Sequence, residues 1–169
     1  TKIREKDEST RALFLIPDRE VKVYVTGTDG KETILTLLSR GDSFGEMSLI
    51  DGEPRSASVK AVQPTKVLII RREHFLELLR TTPELATGLL MQMSRRLRNA
   101  NRQIGSLATM SVYGRVAGTI LSLIEDRGVR IHGRNGEMVT VIRNRPTQQQ
   151  FAEMSGTTRE TVSRVFSTL

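Results

Sequence analysis

Gly41-Asp42-Ser43-Phe44-Gly45-Glu46, followed after a short gap by Arg55-Ser56-Ala57, is the stretch that organises the rest of the chain. Glycine lets a backbone come close to a ligand, and arginine beside a hydroxyl supplies a charged planar fork, so the pattern suits a phosphate. Short glycine motifs are weak alone. The same residues fit a plainer arrangement in which Gly41 and Gly45 make turns and Arg55 pairs with Asp51 or Glu53 at the surface. A second signature lies further along, where Thr147-x-x-Gln150 and Thr157-x-x-Glu160 read as two successive capped helix starts. Ser155-Gly156-Thr157 between them permits a sharp crossing, which makes a helix–turn–helix. A phosphate cup joined to a DNA reader implies a ligand-gated switch.

Around the first signature, residues 12–16, 20–25, 32–38, 56–62 and 66–70 are short β-rich runs separated by turn residues. They predict an antiparallel sandwich or barrel. Val21, Val23 and Val25 alternate with Lys22 and Tyr24, the period of a strand with one buried face. Asp29-Gly30 tolerates positive φ and closes a hairpin onto residues 31–38.

From Pro83 the period becomes helical. Ala86, Leu90, Met93, Leu97, Ala100, Ile104 and Leu107 recur at alternating spacings of 4 and 3 residues. The regular seam, with Arg95, Arg96, Arg98 and Arg102 on polar flanks, predicts a coiled coil between two copies. A helix packed on its own domain shows a similar pattern. Residues 112–126 form a further helical segment with Val116, Ile120, Leu123 and Ile124 apolar. Asn135-Gly136 is placed as a hairpin turn between 129–131 and 138–142. In the last helix, 158–169, Arg159, Glu160, Ser163 and Arg164 share one side, with Val162, Val165 and Phe166 on the buried face.

Composition narrows the chemistry. Of the net charge of +7, residues 84–169 hold +6, all of it on arginine because no lysine follows Lys66. Arginine suits bidentate contacts to phosphate and guanine, so a polyanion partner is expected. With no cysteine, disulfides and thiolate metal sites are excluded. His74 and His132 are far apart without a third ligand, so no metal is expected, and no nucleophile–base pair suggests an enzyme. No apolar run reaches membrane-span length and no signal-peptide pattern is present, so the chain reads as soluble and cytoplasmic. It begins without Met and stops within an apparent helix, which reads as a fragment.

Gly41-Asp-Ser-Phe-Gly-Glu-Met-Ser-Leu49, Arg55-Ser-Ala57, Gly105-Ser-Leu-Ala108, Val112-Tyr-Gly-Arg-Val116 and Arg159-Glu-Thr-Val-Ser-Arg164 come in the order found in one family. Over nearly its whole length the chain resembles the bacterial cyclic-AMP receptor protein/FNR family of transcription regulators. The resemblance implies an α+β fold in three parts. Residues 1–82 would form an N-terminal antiparallel β-roll of the cyclic-nucleotide-binding, double-stranded β-helix type. Residues 83–110 would form a long dimerisation helix, and 111–169 a C-terminal winged helix–turn–helix domain. Against the family pattern, an N-terminal helix, a first strand and the wing are missing from this sequence. Lys6 and Arg19, where related chains often carry Gly, and Pro17 are further departures.

The resemblance also implies roles. Gly45 and Glu46 would open a short helix, with Met47 beside them: Gly45 offers its amide and Glu46 accepts from a ribose 2′-hydroxyl. Arg55 would neutralise a cyclic phosphate, Ser56 would add a hydroxyl and an amide, and Ala57 would keep the wall close. At the purine end the family's Thr-Ser pair is replaced by Ala100 and Asn101, with Asn99 and Arg102 nearby. Ala100 offers no polar atom and Asn101 offers both a donor and an acceptor, so cyclic AMP, cyclic GMP and cyclic di-GMP are all candidates. Thr147, Gln148 and Thr158 would lie near DNA phosphates. Arg159 and Arg164 would each fork onto guanine, Glu160 would accept from cytosine, and Ser163 matches the FNR branch. A homodimer would read an inverted repeat of double-stranded DNA, with half-sites of the TGTGA type about one helical turn apart. The nucleotide would bias a hinge near residues 109–113, and RNA polymerase would be a partner if the protein activates. The alternative is a regulator with a degenerate pocket that binds DNA without a ligand.

Overall fold

The computed structural model describes residues 2–4, 11–133 and 135–168. The chain divides into two units, residues 1–100 and 101–169, and the division falls inside one long helix. The elements of the first unit are β1 (Lys2–Arg4), β2 (Ala12–Leu15), β3 (Val21–Thr26), β4 (Glu32–Leu38), β5 (Ser43–Phe44), α1 (Glu46–Ile50), β6 (Ser58–Ala61), β7 (Leu68–Arg71) and α2 (Arg72–Thr81). All pairings are antiparallel, in one sheet ordered β1-β6-β3-β4 and another ordered β5-β2-β7. This is the expected β-roll, and Gly30 at φ 78 turns the β3–β4 hairpin as foreseen.

The second sheet lacks a clean two-residue alternation because β2 is covered on both faces. Phe14 stacks on Phe44 with ring centroids 4.9 Å apart, inside a cluster with Ile16, Val21, Leu38 and Val59. Leu13, its neighbour, points into a different cluster with Leu49 of α1 and Phe75 of α2. Helix α2 is absent from the sequence reading. It follows β7 without a turn residue and buries only Phe75, leaving little signal of its own. Arg19 adopts φ 66, the left-handed region, at a place where Gly was noted as the related pattern. Lys6, the companion departure, lies outside the described residues.

Helix α3 (Pro83–Thr109) buries none of its residues. It touches the Phe75 cluster through Leu89, which is not one of the seam residues. Leu90, Leu97, Ile104 and Leu107 of the seam are 65%, 63%, 65% and 53% exposed. Packing of this seam on its own domain is therefore not what the structure shows.

The second unit continues with α4 (Val112–Arg127), β8 (Gly128–His132), β9 (Met138–Ile142), α5 (Gln148–Ser155) and α6 (Arg159–Thr168). The hairpin turns at Gly136, φ 78, as expected. Its core joins Val116 and Leu123 of α4 to Phe151 and Ala152 of α5 and Val162 and Val165 of α6. Phe166 meets Phe151 edge to face at 5.2 Å. Replacing Phe14 with Ala should cost about 3–5 kcal/mol, because the cavity beside Phe44 cannot collapse within a two-sided strand. Urea unfolding followed by circular dichroism should show a lowered midpoint, and an unchanged midpoint would contradict the two-sided burial of β2.

Candidate nucleotide corner and DNA-reading face

The phosphate signature folds into a corner where β5 runs into α1. Gly45 caps α1 at φ 92, and a Cβ there would stand 2.8 Å from Ala12 O and closer still to Arg55 Nη1. Only glycine fits. Arg55 is 6% exposed, donates from Nη2 to Ala12 O at 2.8 Å and lies 5.8 Å from the Phe14 ring centre. Asp51 and Glu53 stay exposed, so the plainer reading of Arg55 as a surface ion-pair partner gives way to a buried guanidinium.

Glu46 is 3% exposed, and its Oε1 accepts from Arg96 Nη1 at 2.6 Å. Its Oε2 is buried without a hydrogen-bond partner. Arg96 Nη2 also donates to Ser43 O, and Ser43 Oγ donates to Gln92 Oε1 at 3.2 Å. Gln92 and Arg96, one turn apart on α3, were not among the sequence-derived site residues; Arg96 was read only as a polar flank of the seam. The contact spans 50 residues and leaves no local pattern to read.

The remaining candidates sit less deeply. Met47 and Ser56 are exposed and Ala57 is half-buried. Ala100 and Asn101 are both exposed on α3, the first in residues 1–100 and the second in residues 101–169. Arg102, considered beside them, pairs instead with Glu125 at 2.7 Å.

On the other unit, Thr147 and Gln150 form the expected capping box, with Gln150 N donating to Thr147 Oγ1 at 3.2 Å and Thr147 N to Gln150 Oε1 at 2.8 Å. Gln148 begins α5. The second cap differs by one residue. Thr157 N bonds to Ala152 O at 3.0 Å to close the left-handed turn at Gly156, so Thr158 caps α6 instead, accepting from Thr161 N at 3.4 Å. The Thr157–Glu160 box is thus displaced by the needs of the preceding helix end.

Val162 and Val165 are buried, while Arg159, Glu160 and Arg164 are exposed on the opposite arc of α6 with Ser163 half-buried between them. Backbone amide hydrogen bonding holds the Glu160 carboxyl below its ordinary value, aided by Thr158 and by the charges of Arg159 and Arg164. It stays a carboxylate, an acceptor flanked by two forked donors.

Residues 1–82 match the cyclic nucleotide-binding domain family, and residues 114–169 match the Crp-like helix-turn-helix domain family. The cAMP-activated global transcriptional regulator CRP of Pasteurella multocida is 37% identical over 163 residues, covering 96% of this chain and 75% of that protein. The chain belongs to the cyclic-AMP receptor protein/FNR family. The cyclic AMP receptor protein of Thermus thermophilus is also 37% identical, over 160 residues that cover 94% of this chain and 68% of that protein. In fold, the chain is similar to the c-di-GMP responsive global regulator CLP of Xanthomonas campestris, with TM-score 0.76 at 20% identity over 99% of this chain and 81% of that one. The cyclic-AMP receptor protein/FNR family consists of transcription regulators, not enzymes. Among the described residues, no helix is long and apolar enough to cross a membrane.

A carboxyl titration of Glu160 by carbon NMR should give a midpoint below the ordinary glutamate value. Since the folded value lies below the unfolded one, any stability linked to this exposed group is present above the ordinary Glu range and lost as pH falls through the lowered value. A midpoint at or above the ordinary value would remove the Thr158 cap and the two arginines as its environment.

Proposed function

We propose that the chain is a homodimeric transcription regulator whose DNA affinity is set by a cyclic nucleotide bound at the Gly45–Glu46–Arg55 corner. The observation that carries this reading is Glu46, a buried side chain with one carboxyl oxygen lacking a hydrogen-bond partner, which follows Gly45, the residue against which the buried Arg55 guanidinium packs. An unmet buried acceptor costs about 1–3 kcal/mol, and a ribose hydroxyl is a donor of the right kind to offset it. Arg55 and the amide of Gly45 suit the cyclic phosphate, Ser56 adds a hydroxyl, and Met47 and Ala57 form the adjoining wall. The residues present therefore fit the phosphate and ribose of the ligand. Base choice falls to Ala100 and Asn101, which keeps cyclic AMP, cyclic GMP and cyclic di-GMP as the candidates.

Three parts divide the work: a sensor roll at 1–82, a dimer helix at 83–110 and a reader at 111–169. The exposed seam of α3 offers a second copy an apolar stripe at coiled-coil spacing. Dimerisation repeats the α6 face about a two-fold axis, so the target is an inverted repeat in double-stranded DNA. Arg159, Glu160, Ser163 and Arg164 read bases, while Thr147, Gln148 and Thr158 lie at backbone phosphates. The nucleotide shifts the equilibrium toward the DNA-competent arrangement by binding it more tightly, and DNA then tightens nucleotide binding by the same factor. An activating dimer would contact RNA polymerase.

Calorimetry with the three nucleotides, alongside Arg55→Gln and Arg55→Ala, tests the sensor. One nucleotide should bind, and both variants should lose that binding while still unfolding cooperatively. No heat with any nucleotide would favour a ligand-independent DNA-binding dimer with a degenerate pocket. Arg164→Ala should cost ~1–3 kcal/mol on the matched site in fluorescence anisotropy at fixed salt, with discrimination lost at one base position. Uniform weakening across all sequences would instead make Arg164 a phosphate contact.

A further inference from the structure

One side chain joins two places in the second unit that lie about 40 residues apart in sequence. Arg115, in the first turn of α4, donates from Nη1 to Met110 O at 3.3 Å, from Nε to Ser155 O at 2.9 Å and from Nη2 to Gly156 O at 3.2 Å. Met110 directly follows α3, and its own amide bonds back to Ser106 O at 2.9 Å. Ser155 ends α5 and Gly156 is its left-handed cap. The last carbonyls of a helix have no partner within it and carry the negative end of the helix dipole. A guanidinium between two such ends satisfies and neutralises both.

Neighbouring contacts brace the same place. Thr119 Oγ1 lies 2.9 Å from Ser155 Oγ, and Gln103 Nε2 donates to Met154 O at 3.4 Å. Leu107 Cδ2 would stand 3.2 Å from a Cβ on Gly156, so α3 passes the α5–α6 turn at a distance suited to glycine. The junction at residues 109–113 is thus tied to the turn of the helix pair from both sides. The guanidinium hydrogen bonds of Arg115 go to Met110, Ser155 and Gly156, while Arg159, Glu160 and Arg164 of α6 stay exposed.

We propose that Arg115 is a positioning residue: by capping the C-terminal ends of α3 and α5 together, it fixes the angle between the dimer helix and the reader, and hence the half-site spacing a dimer accepts. The inference rests on the dimeric DNA-reading function proposed above. Lysine cannot replace it fully, because an ammonium lacks the planar fork that reaches several carbonyls from one side.

The test uses the full chain and duplexes that the unsubstituted protein selects from a random pool, then the same duplexes with the spacer changed by one or two base pairs. Fluorescence anisotropy at fixed salt gives the affinities. Arg115→Ala should weaken binding at the selected spacing by about tenfold, the scale of one or two hydrogen bonds, and flatten the dependence on spacing. Its penalty for a wrong base inside a half-site should equal that of the unsubstituted protein. Arg115→Lys, which keeps the charge and most of the stem, should fall between the two and decides the matter if the alanine variant does not fold. A spacing profile retained by the variants overturns the inference, as does loss of base discrimination in step with loss of spacing selectivity, which marks a merely structural role. If the unsubstituted protein selects no inverted repeat, the DNA-reading function itself fails and this inference with it.

Discussion

Two ionisable side chains share the interior of the first unit, and much of their surroundings follows from the cost of keeping such polar groups there. Glu46 and Arg55 are both nearly inaccessible. Burying a charge without partners costs several kcal/mol, so the fold must bring polar atoms to them. Ala12 of β2 turns its carbonyl to Arg55, and Arg96 reaches from α3 to Glu46. Gly45, lacking a Cβ, lets the corner close on the guanidinium. The aromatic stack of Phe14 and Phe44 lies under the same corner and gives it a rigid floor.

The same physics governs the second unit, where helix ends take the place of buried charges. Ser111, Thr147 and Thr158 cap the starts of α4, α5 and α6, and Arg115 serves the ends of α3 and α5. One apolar cluster holds the three helices, and the polar arc of α6 takes no part in it. That leaves Arg159, Glu160 and Arg164 exposed together as donor, acceptor and donor.

How much of this was legible depended on how local each feature is. The hairpins at Gly30 and Gly136, the long helix from Pro83 and the Thr147–Gln150 box announce themselves within a few residues, because turn chemistry and capping act over one turn of chain. Helix α2 and strand β5 left no such mark, being short and held by packing against Leu13, Leu49 and Phe14. The cap of α6 was misplaced by one residue because the turn closing α5 claims the amide of Thr157, a competition invisible to a motif read one helix at a time.

By itself the sequence determined the order of the hairpins, the long helix and the helix pair, the side of α6 that faces out, the unequal placement of charge and the residue types that suit a phosphate. These depend on periodicity, propensity and backbone freedom, which short stretches carry. Only the tertiary structure decided that Arg55 is buried, that Gln92 and Arg96 bond to Ser43 and Glu46, and that Arg115 ties two helix ends together. Each of those contacts joins residues about 40 to 50 positions apart, and which side chain meets a buried charge or an orphan carbonyl is settled by how whole elements pack.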